Sequence, residues 1–145
     1  MSGNYNARRD DLGRYWKKQF GYTHRLIVVD SFLDNVELPD GQNQRLQFNP
    51  SSGEPMLVVR LWANWQDPEG IEPDIMCFAA MTDEPEPEVA AAGHDRTVIN
   101  IKPDHIETWL NPDPANLLAL YAIFDDKRPA PFYEYKIAAQ LVRIV

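Results

Sequence analysis

Gly93 is followed at once by His94, Asp95 and Arg96, and these three residues could do chemistry together. A histidine leaving a glycine turn is well placed for proton transfer, because an imidazole ordinarily titrates near pH 6.5. Arg96 stands two residues on, so on an extended strand it shares the histidine's face. A histidine–arginine face suits a substrate with a phosphate beside the reacting bond. The same spacing also fits a plain turn, in which His94 and Asp95 satisfy backbone groups and Arg96 pairs with a surface carboxylate. Two further candidates lie upstream. In "YNARR" (5–9), Asn6 can donate and accept, and Arg8 can fork onto a phosphate. In "SFLDNV", Asp34 sits between apolar neighbours, where it either faces a cleft as an acid or base or simply faces water.

The remaining reactive side chains give weaker signals. His24 precedes an apparent strand with no evident partner, and His105 falls on a helix that Pro103 opens, as a surface residue. Three scattered histidines and a single cysteine, Cys77, offer no metal-ligand spacing and no internal disulfide. Cys77 lies in an apolar run and reads as a buried, inert thiol. Trp62, Trp65 and Trp109 read as core. The chain has no glycine-rich phosphate loop and no G-x-S-x-G elbow, so no cofactor and no metal are expected.

Elements must position these residues. Leu12, Tyr15, Trp16 and Phe20 recur at helical spacing between Asp10 and Gly21, predicting a helix. "RLIVVD" (25–30) reads as a strand. "SFLDNVEL", the turn "PDGQ" (39–42) and "RLQFNP" predict a hairpin over 32–48. "MLVVRLWANW" (56–65) is the strongest strand, and "IMCFAAMT" (75–82) is predicted to pair with it antiparallel, buried on both faces. "PEVAAA" gives one helical turn and "TVINI" a strand. Pro103 and Pro114 each open a helix, and "FYEYKIA" closes the pattern as a strand. There are no repeats and no long linker, so residues 1–145 are expected to form one α+β domain, mostly antiparallel.

The 145-residue chain has a net charge of −8, which argues against a general nucleic-acid coat. The charge is uneven: residues 1–26 carry +4 and the remainder −12. Screening limits the reach of distant charges to about 8–10 Å, so a basic end on an acidic body can still meet a phosphate chain locally. No apolar run approaches the roughly 20 residues that span a bilayer. A cytoplasmic protein with no membrane partner is expected.

In order, these pieces resemble the SRAP family (SOS response-associated peptidase domain). The correspondence runs through "NAR" (6–8), "FLDN" (32–35) for Tyr-Glu-Trp, "RLW" (60–62) for Gly-Leu-Trp, "MT" (81–82), "HDRTVI" (94–99) for His-Asp-Arg-Met-Pro, and "TWL" (108–110). The resemblance implies an open-barrel sheet, here truncated, with flanking helices. It also implies recognition of abasic sites in single-stranded DNA during the DNA damage response. In the family an amino-terminal cysteine condenses with the ring-opened sugar to give a DNA–protein crosslink. Carried over by position, His94, Asp34 and Asn6 are catalytic: Asn6 fixes the N-terminal residue's backbone, Asp34 replaces the family's Glu, and His94 assists ring opening. Arg8 and Arg96 hold DNA phosphates.

The chain also departs from the family. It starts "MSGNYNARR" where the family starts Met-Cys-Gly-Arg and continues before its Asn-Ala-Arg segment. Ser2 forms a far less stable ring with an aldehyde than cysteine does. Crosslinking or autopeptidase activity is therefore expected to be weakened or lost. The alternatives are a non-enzymatic protein-interaction or single-stranded-DNA module on the same fold, and an ordinary hydrolase using His94 and Asp34. A shortened sheet would leave an open edge, so a homodimer or a partner chain is expected to cover it.

Overall fold

The computed structural model describes residues 6–138. Ser2, and with it the expected N-terminal chemistry, lies outside them. In chain order the first elements are β1 (Asn6–Arg8), β2 (His24–Val29), β3 (Phe32–Glu37), β4 (Asn43–Pro50), β5 (Met56–Trp65) and β6 (Ile75–Asp83). Then follow α1 (Pro87–Ala91), β7 (Thr97–Val98), α2 (Ile106–Leu110), α3 (Leu117–Asp125) and β8 (Tyr133–Ile137). The fold is α+β and mostly antiparallel, with two separate sheets, neither closed on itself. The chain divides into two compact units. No helix among the described residues is long and apolar enough to cross a membrane.

The first unit comprises residues 6–28, Leu57–Asp83 and Val98–Arg128. Its sheet runs β1-β6-β5-β2, with β7 beside β6. β5 and β6 are antiparallel, as the sequence predicts, with Trp62 opposite Phe78; β1 lies parallel to β6. Period-2 alternation sends Leu57, Val59 and Leu61 of β5 and Ala79 and Met81 of β6 into one cluster with Leu12, Phe20, Trp109 and Leu120. His24, for which the sequence shows no evident partner, is buried in that unit with both ring nitrogens engaged. Its ring stacks between Phe20 and Trp109, accepts at Nε2 from the Gly21 N–H (2.8 Å), and lies 2.8 Å from the Trp109 carbonyl at Nδ1. Burial pushes its pKa down to about 4.

Several expectations for the first unit are corrected. Residues 10–20 form a 3-10 turn (Arg9–Asp11) and a chain of hydrogen-bonded turns, not one helix. Gly13 weakens helix propagation there, yet Leu12, Trp16 and Phe20 reach the core as the stripe predicted, while Tyr15 is 63% exposed. β6 is buried on both faces only in its second half, and Met76 and Phe78 stand out to solvent. Cys77, Trp62 and Trp65 are only partly buried, whereas Trp109 is fully buried. The strand expected over 97–101 stops at Val98. The Asn100 side chain takes the Leu57 N–H (2.8 Å), leaving a single bridge in place of a ladder. α3 starts at Leu117 rather than Pro114. Asp113 and then Asn116 capture the N–H groups of Ala115 and Ala119, so Pro114 lies in the turn before the helix.

The second unit comprises Val29–Met56, Glu84–Thr97 and residues 129–138. Its sheet is β3-β4-β8, all antiparallel, and the predicted hairpin is present with Phe32 opposite Phe48. Val36, Leu46, Phe48, Val89 and Tyr133 are among its buried side chains, with Phe32 stacked on Phe48. Glu88 of α1 ties in the last strand by accepting the N–H groups of Phe132 (2.8 Å) and Tyr133 (2.7 Å).

Candidate functional site

Strand alternation on β3 places Phe32, Asp34 and Val36 on one face and Leu33, Asn35 and Glu37 on the other. Val36 is 3% exposed and Leu33 is 49% exposed, so Asp34 lies on the inward face, opposite Leu46 of β4. The Asp34 side chain is 32% exposed, so it is partly withdrawn from water without being sealed from it.

α1 delivers the partner. Pro87 at its first turn is preset for helix, and Val89 fills the unit's core. Gly93 then takes φ +101°, a left-handed conformation that glycine adopts without steric cost. The His94 N–H donates to the Val89 carbonyl (3.2 Å), and an added Cβ on Gly93 would lie 3.9 Å from Val36 Cβ. The turn therefore sits against β3, and His94 Nε2 comes within 3.3 Å of Asp34 Oδ1. Thr97 Oγ1 accepts the Glu86 N–H (2.9 Å), closing the segment on itself.

His94 Nδ1 lies 2.7 Å from the Arg96 carbonyl and 3.1 Å from the Arg96 N–H. The shorter contact assigns the Nδ1 proton to the carbonyl, which leaves Nε2 to exchange a proton with Asp34. Burial raises the Asp34 carboxyl above its ordinary range; His94 pulls it back down and Asp95 pushes it up. The 3.3 Å contact lets one proton pass between the imidazole and the carboxyl. Such a pair can act as acid toward one oxygen and as base toward another.

Arg96 does not share the histidine's face on a strand as expected. Residues 94–96 form no strand; the chain bends at Asp95, and the Arg96 backbone holds the imidazole. Its guanidinium is largely buried, 3.6 Å from Glu84. Asn6 and Arg8 lie in the first unit. Ala7 between them is buried in the core, so both project from the opposite side of β1 and both are exposed. Arg8 forks onto Asp10 at 3.1 and 3.0 Å. His105 is paired with Asp126 (2.7 Å) and joins none of these groups. Sequence reasoning missed Asp95 as the neighbour that biases Asp34, and Glu88 and Thr97 as anchors of the turn. Only Pro87, which marks the start of α1, hinted at the last two.

The sequence model of the family described as "SOS response associated peptidase (SRAP)" matches residues 2–141. The chain belongs to the SRAP family. Its fold is similar to that of a structural-genomics protein from Bordetella bronchiseptica (TM-score 0.71, 16% identity), covering 93% of this chain and 65% of that one. It is likewise similar to one from Bacteroides thetaiotaomicron (TM-score 0.72, 11% identity), covering 92% of this chain and 58% of that one. The chain thus spans less than two thirds of the length of each. Comparison with curated proteins gives no match. Within this SRAP chain, His94 and Asp34 are two site residues whose side chains the fold brings together, and Arg96 meets the imidazole through its backbone.

Proposed function

We propose that this SRAP-family chain acts in the response to DNA damage by engaging abasic sites in single-stranded DNA, with His94 and Asp34 as its proton-sharing pair. The observation that carries the reading is the 3.3 Å approach of His94 Nε2 to a part-buried Asp34 whose carboxyl is held above its ordinary range. An abasic sugar rests mostly as a closed hemiacetal. Opening it breaks the C1′–O4′ bond, moves the C1′ hydroxyl proton to a base and delivers a proton to O4′. A pair holding one proton between two sites serves both transfers. The aldehyde then condenses with a primary amine, and the departing hydroxyl leaves as water once protonated. Arg8 is half exposed, so exchanging Asp10 for a DNA phosphate costs it little. Arg96 orients the imidazole through its backbone.

The test is incubation with single-stranded DNA containing one abasic site, with and without borohydride. An adduct that needs borohydride identifies an imine, and one that survives without it identifies a stable crosslink. His94→Ala and Asp34→Asn are expected to slow adduct formation by about 10²-fold, the usual scale of general acid–base catalysis. Lesion-dependent binding with no adduct under either condition would leave a non-enzymatic binding module. Binding indifferent to the lesion would overturn the reading.

A further inference from the structure

Glu88 lies in α1 and reaches out of it to the last strand of the second unit. Its Oε1 accepts the N–H groups of Phe132 (2.8 Å) and Tyr133 (2.7 Å). Its Oε2 is buried and has no hydrogen-bond partner among the described residues, so the attachment stands on one oxygen. A carboxylate oxygen left bare in a protein interior is unfavourable. Packing alone therefore does not account for a glutamate at this position.

Two chains of contacts lead away from that attachment, and they meet at His94 and Asp34. Along α1, Val89 follows Glu88 and is fully buried; its carbonyl takes the His94 N–H (3.2 Å) where the left-handed Gly93 turns the chain. Along the sheet, Tyr133 is opposite Pro50 of β4, and its ring meets the Phe32 ring edge-on with centres 5.6 Å apart. Phe32 is stacked on Phe48 and shares a face of β3 with Asp34, two residues on. The 3.3 Å approach of His94 Nε2 to Asp34 Oδ1 closes the circuit. The bond from the Glu86 N–H to Thr97 Oγ1 closes the α1 segment on itself, and the apolar packing of Val89 is non-directional. The two bonds to Glu88 are directional, and they fix where α1 stands along β8.

The geometry points to Glu88 as a positioning residue for the His94–Asp34 pair: it pins α1 to the start of β8 and so sets how closely the imidazole approaches the acid. Glu88 acts through α1 and the sheet rather than on a reacting atom. Alignment of this kind matters to chemistry, since a misplacement of about 1 Å can cost about 10²-fold in rate. The inference rests on the proposed function for its effect on abasic-site chemistry, whereas the alignment itself is measurable without DNA.

The experiment is a carboxyl-carbon NMR titration of Asp34 in the full chain, made with and without His94→Gln. His94 pulls the Asp34 carboxyl down, so His94→Gln raises the midpoint, and the size of that rise reports how closely the pair is held. Glu88→Ala should cut the rise to about half or less, because the charge interaction weakens with distance. Glu88→Gln, whose amide oxygen still accepts both N–H groups, should keep it. Glu88→Asp, one methylene shorter, should fall between them, and it replaces the alanine variant if that variant does not fold. A residue that only stabilised the fold would lower the urea midpoint and leave the rise unchanged. Adduct formation on abasic single-stranded DNA should slow about tenfold in Glu88→Ala and stay near wild type in Glu88→Gln. An undiminished rise in Glu88→Ala, or in Glu88→Asp as its replacement, overturns the positioning role. An equal loss of the rise in Glu88→Gln overturns it as well, because the effect would then follow the charge and not the hydrogen bonds. If the intact protein gives no adduct while the Asp34 pattern holds, the proposed chemistry fails and the positioning role stands.

Discussion

Asp34 and His94 meet across 3.3 Å because a left-handed glycine turn after α1 rests on the strand that carries the acid. The consequence is measurable. Burial raises the Asp34 carboxyl, Asp95 adds to the rise, and His94 opposes it. Carboxyl-carbon NMR should therefore place the Asp34 midpoint above the ordinary value of about 3.9. Asp95→Asn should lower it and His94→Gln should raise it further. A raised carboxyl contributes stability below the unfolded-state pKa, and loses it as pH rises through the folded-state value. Asp34→Asn, which copies the protonated form, should match the wild type in urea stability below about pH 4 and exceed it at higher pH. A wild-type midpoint at or below the ordinary value would remove the raised carboxyl from the site.

Arg9 joins three elements of the first unit. It reaches Asp83 at 3.0 Å, forks onto Asp125 at 2.7 and 3.1 Å, and lies over the rings of Tyr121 and Phe124. Asp83 is 15% exposed, so removing the guanidinium takes a cationic partner from a largely buried carboxylate, and Lys127 stands farther off at 3.9 Å. Arg9→Met should cost about 2 kcal/mol in urea unfolding. Arg9→Met/Asp83→Asn should recover part of that loss, because the largely buried negative charge is gone. Additive losses in the double variant would mean that the pair is not coupled.

Gly21 takes φ +90°, and a Cβ there would meet Leu117 Cδ2 at 2.9 Å and Pro114 Cα at 3.4 Å. Gly21→Ala should therefore destabilise the protein by about 2 kcal/mol, from left-handed strain together with overpacking. Adding Leu117→Ala relieves the nearer contact only. Thermal unfolding of the double variant, compared with Leu117→Ala alone, should retain a loss of about 1 kcal/mol from the backbone strain. Complete rescue would place the whole cost in the contact.

The strands and the hairpin were legible because period-2 alternation and turn residues are local signals. "PDGQ" closes the hairpin between β3 and β4, and "MLVVRLWANW" is β5 residue for residue. The helices were less legible. Asp113 and Asn116 delay α3 past Pro114 by capturing N–H groups with their side chains, a competition that hydrophobic spacing does not register. At the site, residue types named His94 and Asp34, but their contact depends on where the turn after α1 packs. Glu88 left only a faint trace, because a glutamate in the first turn of "PEVAAA" reads equally well as an exposed helix residue.

His24 provides the sharpest pH test. Its ring is buried between Phe20 and Trp109, with both nitrogens engaged, and its pKa is pushed down to about 4 by burial. Unfolded, it titrates near 6.5. Between those two values the unfolded chain holds the proton and the folded chain refuses it, so stability is full above about pH 6.5 and falls as pH drops toward 4. A shift of that size corresponds to about 3 kcal/mol lost across the window. Other groups titrate there too, so the comparison is with His24→Gln, whose amide can accept from Gly21 and donate to Trp109 without gaining charge. That variant should start less stable, since a stacked aromatic ring is gone. Its urea midpoint should then fall less between pH 7 and pH 4, both pH values bracketing the roughly 6.5-to-4 window. Parallel pH profiles for the two proteins would show that the His24 pKa is not depressed in the folded chain.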